Sequence, residues 1–423
     1  MSQTRAARAA MRRRGGVYFA VLGASMLMGL IGVGVVAEMR AQRQATIAAM
    51  DGIEARFLAD SAVQAAVVEL SKDPNWRSRP AASWASPRAL GRGTVSLRIT
   101  GTSGTTVSGN EYEPVLLTGV GVKGSARQMT QVRLGATGVP LDSLSLAMHA
   151  DGEIEVLSGA WLTVTGAPIA THSTLLNDGT FVGTARAKAR AGGGLLVGTV
   201  AITSQQLTVA RASAISFYAD VGTAIAPANG VMENLVLSAG VNPMGGGVNA
   251  DGVYVVRTSK DLTIRNCRIK GTLVVICSDG AAVHLADRVF IHPHRADYPA
   301  LLVAGDLFIE IESAAATLQE STVGVNFNPA GAPYQGVSDS DTTDSYPSEV
   351  RGLVHATGLV TLSNTATVRG VILSSLTGST AVSVEGNNQL IWDSTIAANP
   401  PMGYTESVRL SVQPGTWARV VDP

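Results

Sequence analysis

The chain has near its N-terminus a run of 21 residues, from 17 to 37, that contains no charged side chain. As an α-helix with a rise of about 1.5 Å per residue, this run is about 31 Å long, which matches the hydrocarbon core of a bilayer. We therefore predict a transmembrane helix at residues 17–37 and expect the lipid bilayer to be a partner of this protein.

The basic residues around the run predict its orientation. The preceding leader contains Arg5, Arg8, Arg12, Arg13 and Arg14. On the other side, Arg40 and Arg43 are the basic residues that follow closely. The positive-inside bias places residues 1–16 in the cytoplasm and the remainder outside it. The expected location is the inner (cytoplasmic) membrane, with a single pass and a periplasmic or extracellular C-terminal domain.

A cleaved secretory signal peptide is the alternative interpretation of this run. Val35, Val36 and Ala37 could supply the small-residue cleavage site of such a peptide. Two features favour the membrane helix. The run is longer than the apolar region of about 7–15 residues in a signal peptide, and helix-forming sequence continues past Ala37.

Residues 38–74 predict a helical stalk that continues the membrane helix. Between Glu38 and Leu70 there is no proline and one glycine, and residues that favour helices are abundant. The proline at position 74 is expected to end the helix. In the distal half, apolar residues recur three and four positions apart, so one face can pack on a domain.

The remaining composition is that of a mainly β protein. Charged residues make up 15% and aromatic residues 5% of the chain, which has 46 glycines. Such a composition is typical of many short strands and turns. Residues 75–140 contain alternating segments such as 93–99, which predict a small α+β region. Zero net charge and a pI near 7 argue against a nucleic-acid partner.

Residues 141–423 predict a large β head. Short apolar segments are separated by Gly, Asn, Asp and Ser, and the stretches 262–275 and 360–373 echo each other in their apolar pattern, with a glycine near the same place in each. Repetition with a spacing of about 20 residues favours a right-handed parallel β-helix, whose coils bury aliphatic residues against one another. We expect Ile264 and Ile372 to face the core. A β-sandwich is the alternative.

The layout of the first part of the chain resembles a known family. A leader ending in Arg14-Gly15-Gly16, an immediate apolar helix, an uninterrupted helical extension through 54–62 (EARFLADSA) and the segment 73–76 (DPNW) resemble the N-terminus of type IV pilin-like proteins. The likeness is greatest to minor pilins and type II secretion pseudopilins with large extra domains. It implies assembly with other pilin-like or secretion-system subunits through the N-terminal helix.

The chain departs from the pilin pattern at one position. Cleavage after Gly16 by a prepilin peptidase would leave Val17 first and Val21 fifth, where major pilins have glutamate. This difference argues against a major filament subunit and leaves processing after Gly16 open. Small residues in the membrane helix, among them Gly29 and Gly32, would let a neighbouring helix approach closely.

Two segments have ligand-like residues. His292-Pro293-His294 with Asp297 offers imidazoles of the kind that bind zinc, copper or nickel, but histidines separated by proline rarely face one point, so we expect a surface turn. The run 339–344, with Asp339, Asp341 and Asp344, has the oxygen spacing of a calcium loop but lacks the glycine and glutamate of an EF-hand. We expect a solvated insertion loop within residues 326–347.

Two further pairs of residues have side chains that could take part in catalysis or disulfide formation. Glu310 and Glu312 alternate with isoleucines and should lie on one outward face, about 6.5–7 Å apart, as an acid and base pair could. No aromatic cluster accompanies them to stack sugar rings. Cys267 and Cys277 are too few for a disulfide framework or a Cys-based zinc site. They are expected to be free thiols, with pairing as the alternative.

The sequence thus favours a non-enzymatic protein with no catalytic, cofactor-binding or metal site. We expect a membrane-anchored minor pilin-like or pseudopilin-like component of a type IV pilus or type II secretion-like system. Its head would be structural or adhesive, with a surface polysaccharide or protein as ligand. One alternative is a membrane-anchored β-helix enzyme that acts on polysaccharide through Glu310 and Glu312. Another is an anchored surface protein that never enters a filament.

Overall fold

The computed structural model describes residues 3–73, 75–101, 106–107, 113–208, 210, 213–313, 316–406 and 409–420. The helices are α1 (Gln3–Lys72), α2 (Ala81–Ala85), α3 (Ser213–Val221), α4 (Glu320–Val323) and α5 (Ser394–Ala398), with 3-10 turns at Trp76–Ser78, Asp142–Ser145 and Ala228–Gly230. The first strands are β1 (Arg88–Leu90), β2 (Gly93–Gly101), β3 (Val115–Lys123), β4 (Ala126–Thr137), β5 (Met148–Ala150), β6 (Glu153–Val156), β7 (Trp161–Thr165), β8 (Ile169–Thr171), β9 (Thr174–Asn177), β10 (Thr180–Ala187), β11 (Ala189–Ala191) and β12 (Leu195–Ile202). After α3 come β13 (Thr223–Ala224), β14 (Val231–Ser238), β15 (Val253–Thr258), β16 (Leu262–Lys270), β17 (Thr272–Cys277), β18 (Ala282–His292), β19 (Leu301–Ala304), β20 (Asp306–Ile311), β21 (Thr317–Gln319), β22 (Ser345–Pro347), β23 (Glu349–Ala356), β24 (Val360–Leu362), β25 (Thr367–Ser374), β26 (Thr380–Val384), β27 (Asn387–Ile391), β28 (Arg409–Val412) and β29 (Ala418–Val420). The protein is mainly β, as predicted.

The predicted membrane helix and stalk form one continuous helix, α1, which ends at Lys72, two residues before the proline at position 74. Its described side chains begin at Gly16. The apolar part is long and apolar enough to cross a membrane, and none of it is buried within the protein. By length and composition it suits a membrane anchor or a signal sequence.

The helix–sheet unit comprises Met1–Gly109, Pro114–Gly135 and Leu410–Pro423. Its strands lie in the order β1-β2-β3-β4-β28, with β29 also paired to β4. The distal part of α1 packs on this sheet, and its core consists of Val63, Ala66, Leu70, Trp76, Trp84, Leu97, Ile99, Val115, Leu117, Val132 and Leu134. Because β28 and β29 belong here, the prediction of a head that extends to residue 423 is wrong at its C-terminal end.

The β unit consists mainly of Ala136–Arg409. Its strands pair in parallel, with each strand beside one that lies a full turn later in the chain. Leu262 is in register with Val283, and Val360 with Val382, which agrees with the predicted spacing. Ile264 and Ile372 are fully buried, as predicted. The antiparallel pairing that a β-sandwich requires is not found in this sheet among the described residues.

The order of turns in space differs from their order in the chain. β25, β26 and β27 pair with β5, β6 and β7, so the last turns of the unit stack on the first. The ladders then continue through β8, β9 and β10 to β12. At the opposite end they finish at β13 and β14. The sequence did not predict this order, nor the helix α3, whose Phe217 and Tyr218 pack in a second apolar cluster with Val255 and Val274.

The segment between β20 and β23 is an insertion, as predicted, but it is not merely a solvated loop. It has its own apolar cluster, in which Leu318, Phe327 and Tyr346 pack with Phe290 of β18. The fully buried guanidinium of Arg268 donates to the backbone carbonyls of Phe327, Ala332 and Pro333. This side chain therefore fastens the insertion to the strands beneath it.

The helix–sheet packing predicts opposite effects for two glycine-to-alanine substitutions. A Cβ at Gly121 would overlap the carbonyl oxygen of Ala55 in α1, whereas a Cβ at Gly52, also in α1, would meet nothing within 4 Å. We expect Gly121→Ala to lower the free energy of unfolding by about 1–3 kcal/mol through overpacking. Gly52→Ala should raise it by about 0.5–1 kcal/mol through helix propensity. Thermal melts of the full chain in detergent measure both, and equal effects would contradict the described contact.

A second comparison tests the attachment of the insertion. Arg268→Met leaves the carbonyls of Phe327 and Ala332 without their donor, removes one of two donors from that of Pro333, and should cost about 2–4 kcal/mol. Lys270, two residues along the same strand, makes a single contact of 3.3 Å to Pro333, so Lys270→Met should cost less than about 1 kcal/mol. Limited proteolysis should cut the insertion faster in Arg268→Met alone. Equal cutting of both variants would show that Arg268 does not hold it.

Candidate functional site

The described residues contain one group of three metal-type side chains whose ligand atoms all lie within 4.8 Å of one another: His149, Asp151 and His172. Two neighbouring strands position them. His149 lies in β5 and Asp151 just after it, while His172 follows β8, and the parallel register sets His149 beside Ala170. His149 is 1% exposed, and the side chains of the other two are about nine-tenths buried.

The contacts in this group assign the tautomers. Leu207 donates its backbone N–H to Nε2 of His172 at 2.8 Å, so that nitrogen has the lone pair and Nδ1 has the proton. Nδ1 lies 3.0 Å from Oδ1 of Asp151. Nε2 of His149 is 3.2 Å from Nε2 of His172, and two lone pairs would repel each other there. We therefore assign the Nε2–H tautomer to His149 from its hydrogen-bonding partners.

Burial controls the charge of the group. It lowers the pKa of His149 to about 4, with a further contribution from the nearby His172. Burial also raises the pKa of Asp151, against the opposing effect of His172. His149 is therefore neutral near pH 7.

The geometry of the group suits a hydrogen-bond network better than a metal centre. The 3.2 Å between the two Nε2 atoms resembles the spacing of neighbouring ligands on a tetrahedral ion. However, the lone pair of His172 that a metal would need already accepts the N–H of Leu207. Asp151 lies on the opposite edge of the same ring, where it can orient the imidazole. The group thus joins β5, β8 and the segment that follows β12.

A second buried histidine, His355, lies beside a serine in the way that a general base lies beside a nucleophile. Nε2 of His355 lies 2.8 Å from Oγ of Ser375, and Nδ1 lies 2.8 Å from the hydroxyl of Tyr404. Burial lowers the pKa of His355 to about 4. A general base works best with a pKa near the working pH, so this imidazole is a poor proton acceptor for Ser375.

The structure does not bring His292, His294 and Asp297 together as a ligand set. The ring of His292 packs against Phe290 with centroids 4.6 Å apart, and burial, with nearby Arg268, lowers its pKa to about 3. His294 is exposed. Asp297 instead pairs with Arg295 at 2.7 Å. His292 is thus more buried than the predicted surface turn requires.

The aspartates of the insertion have separate environments. Asp341 is exposed and accepts hydrogen bonds from Thr343. Asp339 and Asp344 each accept from the side-chain amide of Asn328, at 3.2 and 3.0 Å. Burial and the neighbouring carboxylates raise the pKa of Asp344. These two aspartates brace the inner part of the insertion.

The two glutamates that were predicted as a carboxylate pair, Glu310 and Glu312, lie beside different partners. Oε2 of Glu310 lies 3.2 Å from Nδ1 of His284, whose ring stacks on Phe308. Glu312 follows the end of β20 and lies 3.9 Å from Arg288. The two glutamates are thus not the equivalent solvent-exposed neighbours that the alternation alone predicts.

Both cysteines are free, as expected. Burial raises the pKa of Cys267 to about 12, so its thiol stays protonated. Burial also raises the pKa of the half-buried Cys277.

The His149 group was not among the predicted sites, although the sequence contains a signal for it. His149 and His172 are 23 residues apart, close to one turn of the predicted repeat. This spacing places the two imidazoles on adjacent turns.

Comparisons with known proteins give distant likenesses. No protein-family model and no curated protein match the chain. The competence-associated pilin ComZ of Thermus thermophilus aligns with a TM-score of 0.31 and 9% identity over 88% of this chain and 98% of its own. A Shewanella frigidimarina ice-binding protein domain has a TM-score of 0.29 and 14% identity over 58% and 93%. An ice-binding protein from Antarctomyces psychrotrophicus has 0.27 and 12% over 61% and 99%. TM-scores of this size do not establish a common fold.

The lowered pKa of His149 predicts acid sensitivity of the β unit. In the unfolded chain the imidazole titrates near pH 6.5, and in the folded chain at about 4. Between these values the unfolded state binds a proton that the folded state does not, so stability falls as the pH decreases through this window. The loss from His149 should reach about 3 kcal/mol at pH 4.

Denaturation of the full chain at a series of pH values measures this slope. His149→Gln should remove the contribution of His149 and leave those of His292 and His355. Leu207→Ala keeps every titratable group and the backbone N–H, so it should lower stability without changing the slope. An unchanged slope in His149→Gln would contradict the assigned buried neutral state.

Proposed function

We propose that this chain is a non-enzymatic, membrane-anchored structural subunit of the minor pilin or pseudopilin type, in a type IV pilus or type II secretion-like assembly. The observation that carries the proposal is the two-sided distal half of α1. One side packs on β3 through the fully buried Ala55 and Ala59. The other side exposes apolar side chains beyond the predicted membrane segment.

The exposed side forms an apolar stripe of Met39, Met50, Ile53 and Phe57. These residues are 64%, 62%, 57% and 65% exposed. Their spacings of 11, 3 and 4 positions place them on one face of the helix. Arg43 and Thr46 lie between Met39 and Met50 on the same face, so the uninterrupted apolar part is Met50, Ile53 and Phe57. An exposed apolar surface on a helix that leaves the membrane calls for a partner that also emerges from the membrane. A neighbouring subunit's N-terminal helix meets this condition, and it is the partner we propose.

The continuity of α1 supports a membrane anchor over a cleaved signal peptide. The helix passes through Ala37 without a break and ends in the packed core of the helix–sheet unit. With the five arginines of the leader held in the cytoplasm, the helix–sheet unit and the β unit would be periplasmic or extracellular.

We further infer that the β unit is a right-handed parallel β-helix that serves as the exposed head. The parallel ladders between successive turns support this inference, and crossovers between parallel strands are nearly always right-handed. The proposed ligand of the head is a surface polysaccharide or protein. A non-enzymatic role is supported by the separate partners of Glu310 and Glu312 and by the acidic pKa of His355.

Site-specific photo-crosslinking in cells tests the assembly role. A photoreactive residue in place of Met50, on the apolar stripe, should capture a protein that has its own basic leader and N-terminal apolar helix, identified by mass spectrometry. The same residue in place of Arg56, which is exposed but lies off the stripe, should capture much less. Equal capture at both positions, or none at Met50, would contradict the proposal and favour an anchored protein outside any filament.

A further inference from the structure

The two ends of the β unit are finished differently. At the β14 end, Met232 and Leu237 are fully buried. Ser238 and Val241 exchange backbone hydrogen bonds there, and Met244 packs against the core. The segment after β14 thus caps this end.

The β12 end has no such cap. The register pairs β12 with β10, and no second strand is in register with its other edge among the described residues. Leu195, Val197 and Ile202 are 58%, 51% and 62% exposed. Leu196 and Val200 contact the core but stay half-exposed, because no strand in the described part of the chain covers their far side.

The β12 edge also lacks the charged residues and prolines that keep a free strand edge from pairing with another strand. There is no charged residue between Arg190 and Arg211, and β12 has no proline. Some backbone N–H groups of β12 point to this edge and are available for pairing with another strand. Leu195 and Thr203 donate their N–H groups to Gly179 and Ala187, on the β10 side. Because alternate residues of a parallel strand face opposite neighbours, the N–H groups of Leu196 and Val200 point to the open edge. A long, uncharged, apolar edge of this kind pairs with another strand unless it is blocked.

The shape of β12 restricts what can cover it. Residues 180–182 of β10 pair with β7, whereas Ala185 and Arg186 pair with β8. β10 therefore turns a corner at Gly183, which has a φ of 144°. Gly198 is in register with Gly183 and has the same φ, so β12 turns the same corner with a short apolar arm on each side.

We propose that two copies of this protein join through their β12 edges about a two-fold axis at Gly198. Such an axis places the arm before the corner in one copy against the arm after the corner in the other copy, and the two arms pair antiparallel. Leu196 would lie opposite Val200 of the partner subunit, and Val197 opposite Thr199 of the partner subunit. The contact brings apolar residues and open backbone groups together with no like charges. Head-to-tail stacking of β12 on the capped β14 end would instead require that cap to leave.

A matched pair of lysine substitutions in the full chain tests this proposal. Thr199 is on the open edge, whereas Thr184, its exposed neighbour in register, lies one strand further in. In detergent, the wild type should form dimers whose mass falls to the monomer on dilution. Thr199→Lys places two like charges beside the axis and should raise the dissociation constant by about tenfold or more, whereas Thr184→Lys should leave it unchanged. Association through α1 would survive both substitutions.

Hydrogen exchange of the wild type gives a readout that needs no variant. The amides of Leu196 and Val200, which point to the open edge, should exchange about tenfold or more slowly in the dimer than in the diluted monomer. A chain that is monomeric at all concentrations, or equal dimerisation of Thr199→Lys and Thr184→Lys, would overturn the proposal. Protection of the Leu196 and Val200 amides that does not change with dilution would also overturn it.

Discussion

The β unit depends on one repeated interaction, the stacking of aliphatic side chains in register between successive turns. One stack consists of Ile264, Leu285, Ile309, Leu362, Val384 and Val156, all without exposed surface. Each such burial contributes about 1.5–3 kcal/mol. The stack crosses from the last strands of the unit to the first at Val384 and Val156. The two ends of this part of the chain therefore stabilise each other, and neither can unfold alone without exposing the other.

The helix–sheet unit depends on a different constraint, the close approach of α1 to β3. Gly119 and Gly121 have no side chain where the helix backbone passes, and the fully buried Ala55 and Ala59 face them. Small residues on both sides let the helix lie flat on the sheet and leave its opposite face free. That free face has the apolar stripe, so the same packing that stabilises the unit presents the surface proposed for assembly.

Local patterns predicted the parts of the fold that repeat. The uncharged run and the absence of proline before position 74 predicted α1, and the echo between residues 262–275 and 360–373 predicted the spacing and buried faces of the strands. The stacking of β27 on β7 joins residues that are more than 200 positions apart, and no local pattern reports such a pairing. The same reason applies to Arg268, whose partners are carbonyls of a distant insertion, and to His172, whose proton is assigned by the amide of Leu207. Every residue has a backbone carbonyl and nearly every residue a backbone N–H. The residue types of a partner segment therefore do not show that a distant side chain binds its backbone.

We propose that α1 holds the protein in a membrane while both packed units lie outside the cytoplasm. Protease treatment of intact cells with the outer envelope opened, followed by mass spectrometry of the membrane fraction, tests it most directly. We expect the packed units to be digested and a membrane-held fragment to remain, beginning either at the original N-terminus or at Val17. A soluble chain that begins at Glu38, or full protection of the β unit, would contradict it.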